Sequence, residues 1–470
     1  MFDTFFYMTI SLISLDLPDF GTPKEQPTIN AEIYKERLIK FRDDLKNNQI
    51  NSAVIYADRE HFANMHYLTG FDPRFEEALL ILHVNEEKTY LITGPENQGY
   101  ANISEINLIK KIYPPFGLLG QDRSKTPTLE SMLIECGLKK NIACGIIGWK
   151  YFENNEFENP DSIFEIPYYI LSSISKVVGS ISYLKNITSW FMNPSVGYRS
   201  KNELEEIAFF EFSSCHTSTS LRNVLNNIQP EKTEFEVASN YKCIGIPLSC
   251  HLMFSTGKRA SLGLASPSSK KIKLGEPFAA AYGVWGSLNC RVGWIAKDQN
   301  DLPDEVSDYF EKLIVPYFTA VKEWYETIGI GVEGGAIFEI IMKHLGDPFF
   351  GVYLNPGHLI HRDEWMNSSI YQKSKEIFFS RQAIQLDIIP ATNTKYFSTN
   401  MEDGIVLLDQ EDRKIFEKKY PEAMKRINER RIFMKDKLGI NLKPEVMPLS
   451  NMPAYLNPFI LSKNLTVAFK

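Results

Sequence analysis

Apolar side chains at Tyr34, Leu38, Phe41 and Leu45 follow the i, i+4, i+7, i+11 spacing of one helical face and predict a helix over 31–48. Strand-like runs follow at Ser52–Tyr56, Ala78–His83 and Lys88–Thr93, with Tyr67-Leu68-Thr69-Gly70-Phe71 between the first two. Further alternation near 142–147 and 164–170 extends an interleaved helix and strand pattern over 30–185, as in an α/β domain. A turn-rich stretch, Asn193-Pro194-Ser195-Val196-Gly197, marks a boundary. Beyond it, Ser200 with Glu203 and Thr233 with Glu236 each read as a capping box opening a helix. Strands at about 250–257 and 277–296, helices at about 304–328 and 333–345, and three more strands then write helix–helix–sheet twice. From Asp412 to Lys437 the chain is charged and helical, most simply a solvated face. The Pro/Asn-rich tail carries Met447, Leu449, Met452, Tyr455, Leu456, Phe459 and Ile460. So apolar a segment does not hang free, and packing on its own body or across a dimer is expected.

Composition narrows the class without naming a function. A chain of 470 residues predicts two to three domains, and 44% hydrophobic with 23% charged residues is ordinary for a soluble protein. The net charge of −7 is mild and no dense Lys/Arg block occurs, which argues against nucleic acid or an anionic membrane as partner. Six scattered cysteines without a CxxC pair read as reduced, buried thiols of a cytoplasmic protein, and their spacing offers no partner base for a thiol nucleophile. The apolar N-terminus lacks a positive leader, carries Asp3 and is broken by Asp16 and Pro18; it reads as an arm of about 1–29, not a signal or a span. Gly257-Lys258 lacks the spacing of a phosphate loop, and Gly329–Gly335 follows a helix rather than a strand, against a dinucleotide site.

The informative landmarks lie further on: Asn355-Pro356-Gly357-His358, then Gln385-Leu386-Asp387-Ile388-Ile389-Pro390, then Asn400-Met401-Glu402-Asp403-Gly404. A Gly-His, a strand with an acid followed by Pro, and a strand ending in Glu-Asp resemble, in that order, the pita-bread family of creatinase, aminopeptidase P and prolidase. The order helix, strand, Tyr67–Phe71, strand is similar to the N-terminal domain of creatinase and aminopeptidase P. The resemblance covers most of the chain. It implies an α/β N-terminal domain at 30–190, an α+β pita-bread domain of two helix–helix–sheet halves at 197–410, and a C-terminal helix and tail at 411–470. It also implies a homodimer.

Metalloenzymes of that family bind two ions with two Asp, one His and two Glu, so the resemblance tests each position. The bridging Asp positions fall on Ala281 and on Val292, or on Arg291 with one gap; none can bridge cations. His358 falls on the ligand His, Glu402 on the last Glu, and Asp387 where a Glu is usual. Trp365 stands where peptidases carry a substrate-binding His, Leu264 near a third pocket His, and Asn400 where an Arg is expected. The resemblance therefore implies a degenerate metal site. His358, Asp387 and Glu402 are the candidate catalytic residues, and His361, Trp365, Arg291 and His251 the candidate substrate contacts. No cofactor is expected; a single divalent ion on His358, Asp387 and Glu402 is the alternative. Structural readings stand beside these. Arg291 or Lys395 could pair internally with Asp387 and Glu402, His361 and His251 could be ordinary packed histidines, and Asp363 and Glu364 read as surface acids. Three functions stay open. The first is a hydrolase of a C–N bond in a small amide, guanidino compound or short peptide without a dinuclear centre. The second is an inactive pita-bread paralogue acting as a binding or partner subunit, and the third a metal-dependent Xaa-Pro peptidase.

Overall fold

A computed structural model describes residues 9–470. The chain divides into two compact units: Ile29–Arg199, and Ser200–Lys470 joined by the described part of Met1–Thr28.

The Ile29–Arg199 unit is built on a mixed six-stranded sheet in the order Ile109–Ile112, Glu86–Thr93, Ala78–His83, Ser52–Ala57, Cys144–Ile147, Leu184–Asn186. Its central strands are buried on both faces, as the unbroken apolar runs predict. The helix Ala31–Asn47 is capped by Asn30, whose side chain accepts from the Ile33 amide. Tyr67, Leu68 and Thr69 end a short helix, which Gly70 closes in the left-handed conformation at φ 72° while Phe71 is fully buried.

The Ser200–Lys470 unit is organised by a seven-stranded antiparallel sheet. Its strand order is His358–Leu359, Ala383–Asp387, Asn400–Leu407, Ser287–Trp294, Pro277–Val284, Met253–Thr256, with Val446–Pro448 added to Asn400–Leu407. The helix Leu204–Asn227 packs against the hairpin formed by Pro277–Val284 and Ser287–Trp294. Among the described residues, no helix is long and apolar enough to cross a membrane.

The Thr233/Glu236 capping box forms, but the preceding helix opens later than the Ser200/Glu203 pair predicts, at Leu204 with Glu203 itself as N-cap. The stretch at 304–328 is broken into short turns before the helix Val315–Thr327. The charged helix is two, Gln410–Lys419 and Pro421–Leu438, because Pro421 cannot continue the first. The tail does pack on its own body: Met447, Leu449, Met452, Leu456, Phe459 and Ile460 are buried, and Leu465–Phe469 pairs antiparallel with Ile10–Ser14 of the N-terminal arm. Residues 1–8 of that arm lie outside the described residues. Of the six cysteines only Cys136, Cys144 and Cys215 are buried; Cys243 is exposed, and Cys250 and Cys290 are half-buried.

Candidate functional site

The central strands of this sheet deliver ionisable side chains to one face. Asp387 pairs directly with Glu402, and Glu402 with Cys290, so the three residues form a ladder across three neighbouring strands. His358 enters from the edge strand opposite Gln385. Gly357 permits this entry: its φ is +132°, and a Cβ there would meet the Gln385 carbonyl at 2.8 Å. Trp324 donates to the Pro356 carbonyl at 2.9 Å and Ser368 to the Gly357 carbonyl at 2.7 Å, pinning the approach.

This face lines a cavity of about 820 Å³. Asp387, Glu402, Glu364 and Asn400 form its polar wall; Ala279, Ala281, Leu288 and Val292 contribute an apolar one. One donor atom each from His358, Asp387 and Glu402 lies within 4.8 Å of the others. All three are at least nine-tenths buried. Gln385 Nε2 donates to Glu402 Oε1 at 3.1 Å and fixes its orientation. His358 Nε2 lies 3.2 Å from Glu364 Oε1 and 3.6 Å from Glu402 Oε1, yet neither contact is an aligned hydrogen bond. Asp387 Oδ1 is buried with no hydrogen-bond partner. Trp365 stacks on the His358 ring at 4.1 Å and 19°, shielding it from the cavity.

Charge is poorly balanced here. Burial pushes the Asp387 carboxyl up, and burial together with the Asp387 charge holds Glu402 well above the usual carboxylate range. Burial works against a charged His358, but the Glu364 and Glu402 carboxylates outweigh it and raise the imidazole. Cys250 and Cys290 line the same cavity, but burial and the nearby carboxylates push Cys250 up to about 12 and Cys290 well above its ordinary value. Neither supplies a thiolate near neutral pH.

The structure brings together His358, Asp387, Glu402, Trp365 and, at the cavity mouth, His251, whose Nε2 contacts the Leu264 carbonyl at 2.6 Å. It does not bring Arg291 there. On an antiparallel strand the side chains alternate, and Cys290 and Val292 take the cavity face while Arg291 takes the other. There it donates twice to Asp403, at 2.8 and 3.0 Å, and to the carbonyls of Tyr455 and Met452. His361 is also displaced: it is fully buried, edge-on to Phe210 and 3.9 Å from Glu206. Nor does Arg291 or Lys395 pair with the Asp387 or Glu402 carboxylate: Arg291 pairs with Asp403 and Lys395 with Glu305. Glu364 is the residue sequence reasoning missed. Read as a surface acid, it lines the cavity at the His358 imidazole because the loop between Leu359 and Asn367 folds back, with Leu359 N donating to the Asn367 carbonyl at 2.7 Å.

A divalent ion can be tested against these donors. One imidazole and two carboxylates, one with an orphaned buried oxygen, fit a single ion. They do not fit two, since none of the hairpin side chains that line the cavity is a carboxylate or an imidazole.

No protein-family model matches the sequence, and no curated protein matches it. Solved structures do. The prolidase from Pyrococcus horikoshii OT3 superposes with a TM-score of 0.60 at 16% identity, covering 79% of this chain and 95% of that one. The chain has the pita-bread fold. An X-Pro aminopeptidase from Thermotoga maritima MSB8 (TM-score 0.59, 15% identity, 80% and 95% covered) is similar in the same way. So is an Xaa-Pro dipeptidase from Bacillus anthracis (TM-score 0.56, 14% identity, 82% and 96% covered). These pita-bread neighbours match along nearly their whole length. At such identity the likeness carries the fold alone, and the chemistry must be argued from the cavity.

Proposed function

We propose that this pita-bread chain is a peptidase-type hydrolase that cleaves a C–N bond in a short peptide, small amide or guanidino compound at the Asp387–Glu402–His358 wall. The observation that carries the reading is the imbalance of that wall. Three carboxylates (Glu364, Asp387, Glu402) face one imidazole with no arginine or lysine among them, at the end of an 820 Å³ cavity that is otherwise largely apolar. Buried acids without a fixed counter-charge are costly, and a fold keeps them where a ligand or a reaction uses them. The names of the fold neighbours, prolidases and Xaa-Pro dipeptidases, point to the same bond type.

In this reading Asp387, paired across the ladder with Glu402, takes a proton from water, and Glu402, held by Gln385, returns one to the leaving nitrogen. A coupled pair of carboxylates in a low-dielectric site does both halves of such a cycle by holding one proton between them. His358 sits behind the pair, with Nδ1 at 3.2 Å from the Leu359 carbonyl, and sets the charge that the acids experience. The apolar wall suits a side chain such as proline, and the excess of carboxylates suits the ammonium or guanidinium group of the substrate. If a divalent ion is bound, His358, Asp387 and Glu402 would hold it, and it would supply Lewis-acid polarisation of the scissile carbonyl. A homodimer and a cytoplasmic setting accompany this reading as proposals.

The test is turnover. Purified chain is offered Xaa-Pro dipeptides, small amides and guanidino compounds, and released amine is followed by mass spectrometry, alongside Asp387→Asn and His358→Ala. Release that disappears in Asp387→Asn supports the hydrolase. One observation favours the alternative of a non-catalytic binding subunit: Trp365 covers His358 so that only 1% of it is exposed. Ligand binding without turnover would select that alternative.

A further inference from the structure

Glu364 has no counterpart among the candidate ligands that sequence reasoning assigned, yet its carboxylate approaches the His358 imidazole more closely than Glu402 does. We propose that Glu364 completes a site for one divalent transition-metal ion with His358, Asp387 and Glu402, replacing from a loop the carboxylates that the hairpin has lost. The inference rests on reading this wall as the working site, and it adds to it a fourth ligand and a count of one.

The first argument comes from the imidazole. His358 Nδ1 contacts the Leu359 carbonyl at 3.2 Å, and a carbonyl only accepts, so Nδ1 carries hydrogen. This is the contact by which metal-binding histidines fix their tautomer, a ring N–H donated to a backbone carbonyl. It leaves Nε2 to face the carboxylate oxygens of Glu364 and Glu402. Nε2 belongs to a side chain that is 99% buried in effect, at 1% exposure, and it has no aligned hydrogen bond. Two carboxylates converging on Nε2 call for positive charge at that point, which a divalent ion among them would supply. A second, separate atom makes the same demand: Asp387 Oδ1 is buried without a partner on the same wall.

The second argument is where the charge comes from. In the hairpin, the cavity-facing side chains Ala279, Ala281 and Val292 offer no donor atom, and Cys290 stays a thiol. Glu364 approaches from the other side, on a loop whose base is pinned by Leu359 N to the Asn367 carbonyl and by Met366 N to the Leu359 carbonyl at 3.0 Å. Three carboxylates and one imidazole suit one divalent ion, and nitrogen beside oxygen favours manganese, iron, cobalt or zinc over magnesium or calcium.

The test counts ions and needs no substrate. Full-length chain is stripped with chelator, titrated with Mn²⁺ near neutral pH, and followed by Mn²⁺ electron paramagnetic resonance and native mass spectrometry. Expected are one Mn²⁺ per wild-type chain, none in Asp387→Asn, and binding weakened by about tenfold or more in Glu364→Gln. Glu364→Asp, which keeps the carboxylate, should recover part of that loss; thermal melting confirms that each variant is folded. Wild-type affinity in Glu364→Gln, two ions per wild-type chain, or none, would each overturn the proposal. A chain that binds one ion through Glu364 and hydrolyses nothing would sink the hydrolase reading and leave this inference standing; turnover with no bound ion would do the reverse.

Discussion

Glu402 and Asp403 are consecutive residues on one strand, both buried, and they face opposite sides of the sheet. Asp403 meets a complete set of partners: two contacts from Arg291, one from Asn289 Nδ2 at 2.8 Å and one from the Ala454 amide at 3.1 Å. Burial still pushes its carboxyl up, against the pull of Arg291, but the charge has a fixed answer. Glu402 has Gln385, a raised imidazole and a second raised acid, with no permanent cation. A third buried acid, Glu211, resembles Asp403: Arg430 and Arg426 hold it at 2.9 and 2.6 Å. The lesson is that burial alone does not mark a functional acid. In the proposed reading, the mark is a buried acid to which the chain brings no arginine or lysine.

The largest effect should come from breaking the paired face. Arg291→Met leaves Asp403 buried without its cation and should cost about 3–5 kcal/mol in urea unfolding. Turnover per folded molecule should hold, because Arg291 does not reach the cavity. A loss under about 1 kcal/mol would show that the pairing does not carry the structural side of the contrast.

On the open face the signs should separate. Asp387→Asn should reduce turnover by about 100-fold or more, close to 2.7 kcal/mol of barrier. In the ion-free protein it should also raise stability by about 1 kcal/mol, since it removes a costly buried carboxylate. Thermal unfolding beside amine release measures both on one sample; loss of both together would make Asp387 a structural acid like Asp403.

Smaller again is Trp365→Ala, which removes the stack over His358 and should cost about 1 kcal/mol. It should also let an imidazole-modifying reagent reach His358, as read by peptide mass spectrometry. An unreactive His358 in that variant would mean that Trp365 is not what shields it.

The smallest expected effect sharpens the contrast through pH. Burial opposes the charge on Glu211, but the Arg430 and Arg426 cations prevail and lower its carboxyl below 4.5. A lowered acid contributes stability that is present above its unfolded value and lost as pH falls through the folded one. Wild type should therefore lose stability more steeply than Glu211→Gln on acidification below about pH 4.5. Parallel slopes would show that this pair contributes no pH dependence.

How much of this was legible depended on the kind of signal. Periodicity exposed the central strands, and the family resemblance carried by Gly357-His358, Asp387 and Glu402 pointed to three residues whose donor atoms the structure brings within 4.8 Å of one another. Arg291 was misread through parity. Side chains alternate along a strand, so a one-residue ambiguity in alignment decided whether the cavity received Arg291 or Val292. Glu364 was hidden because His361-Arg362-Asp363-Glu364 has the composition of a solvated loop. The bridge of Leu359 to Asn367 closes this loop, and no regular alternation announces it. His361 shows the converse, a chemistry-bearing residue that packs against Phe210 instead.

The central claim is that the wall of Glu364, Asp387 and Glu402, which faces one imidazole and no arginine or lysine, is the working site of this chain. Amine release from an Xaa-Pro dipeptide and small-amide panel, compared between wild type and Asp387→Asn, tests it most directly. The account predicts release by wild type and at least about a 100-fold loss in a variant that melts no lower. Equal release by the two proteins, or none by wild type, would contradict it.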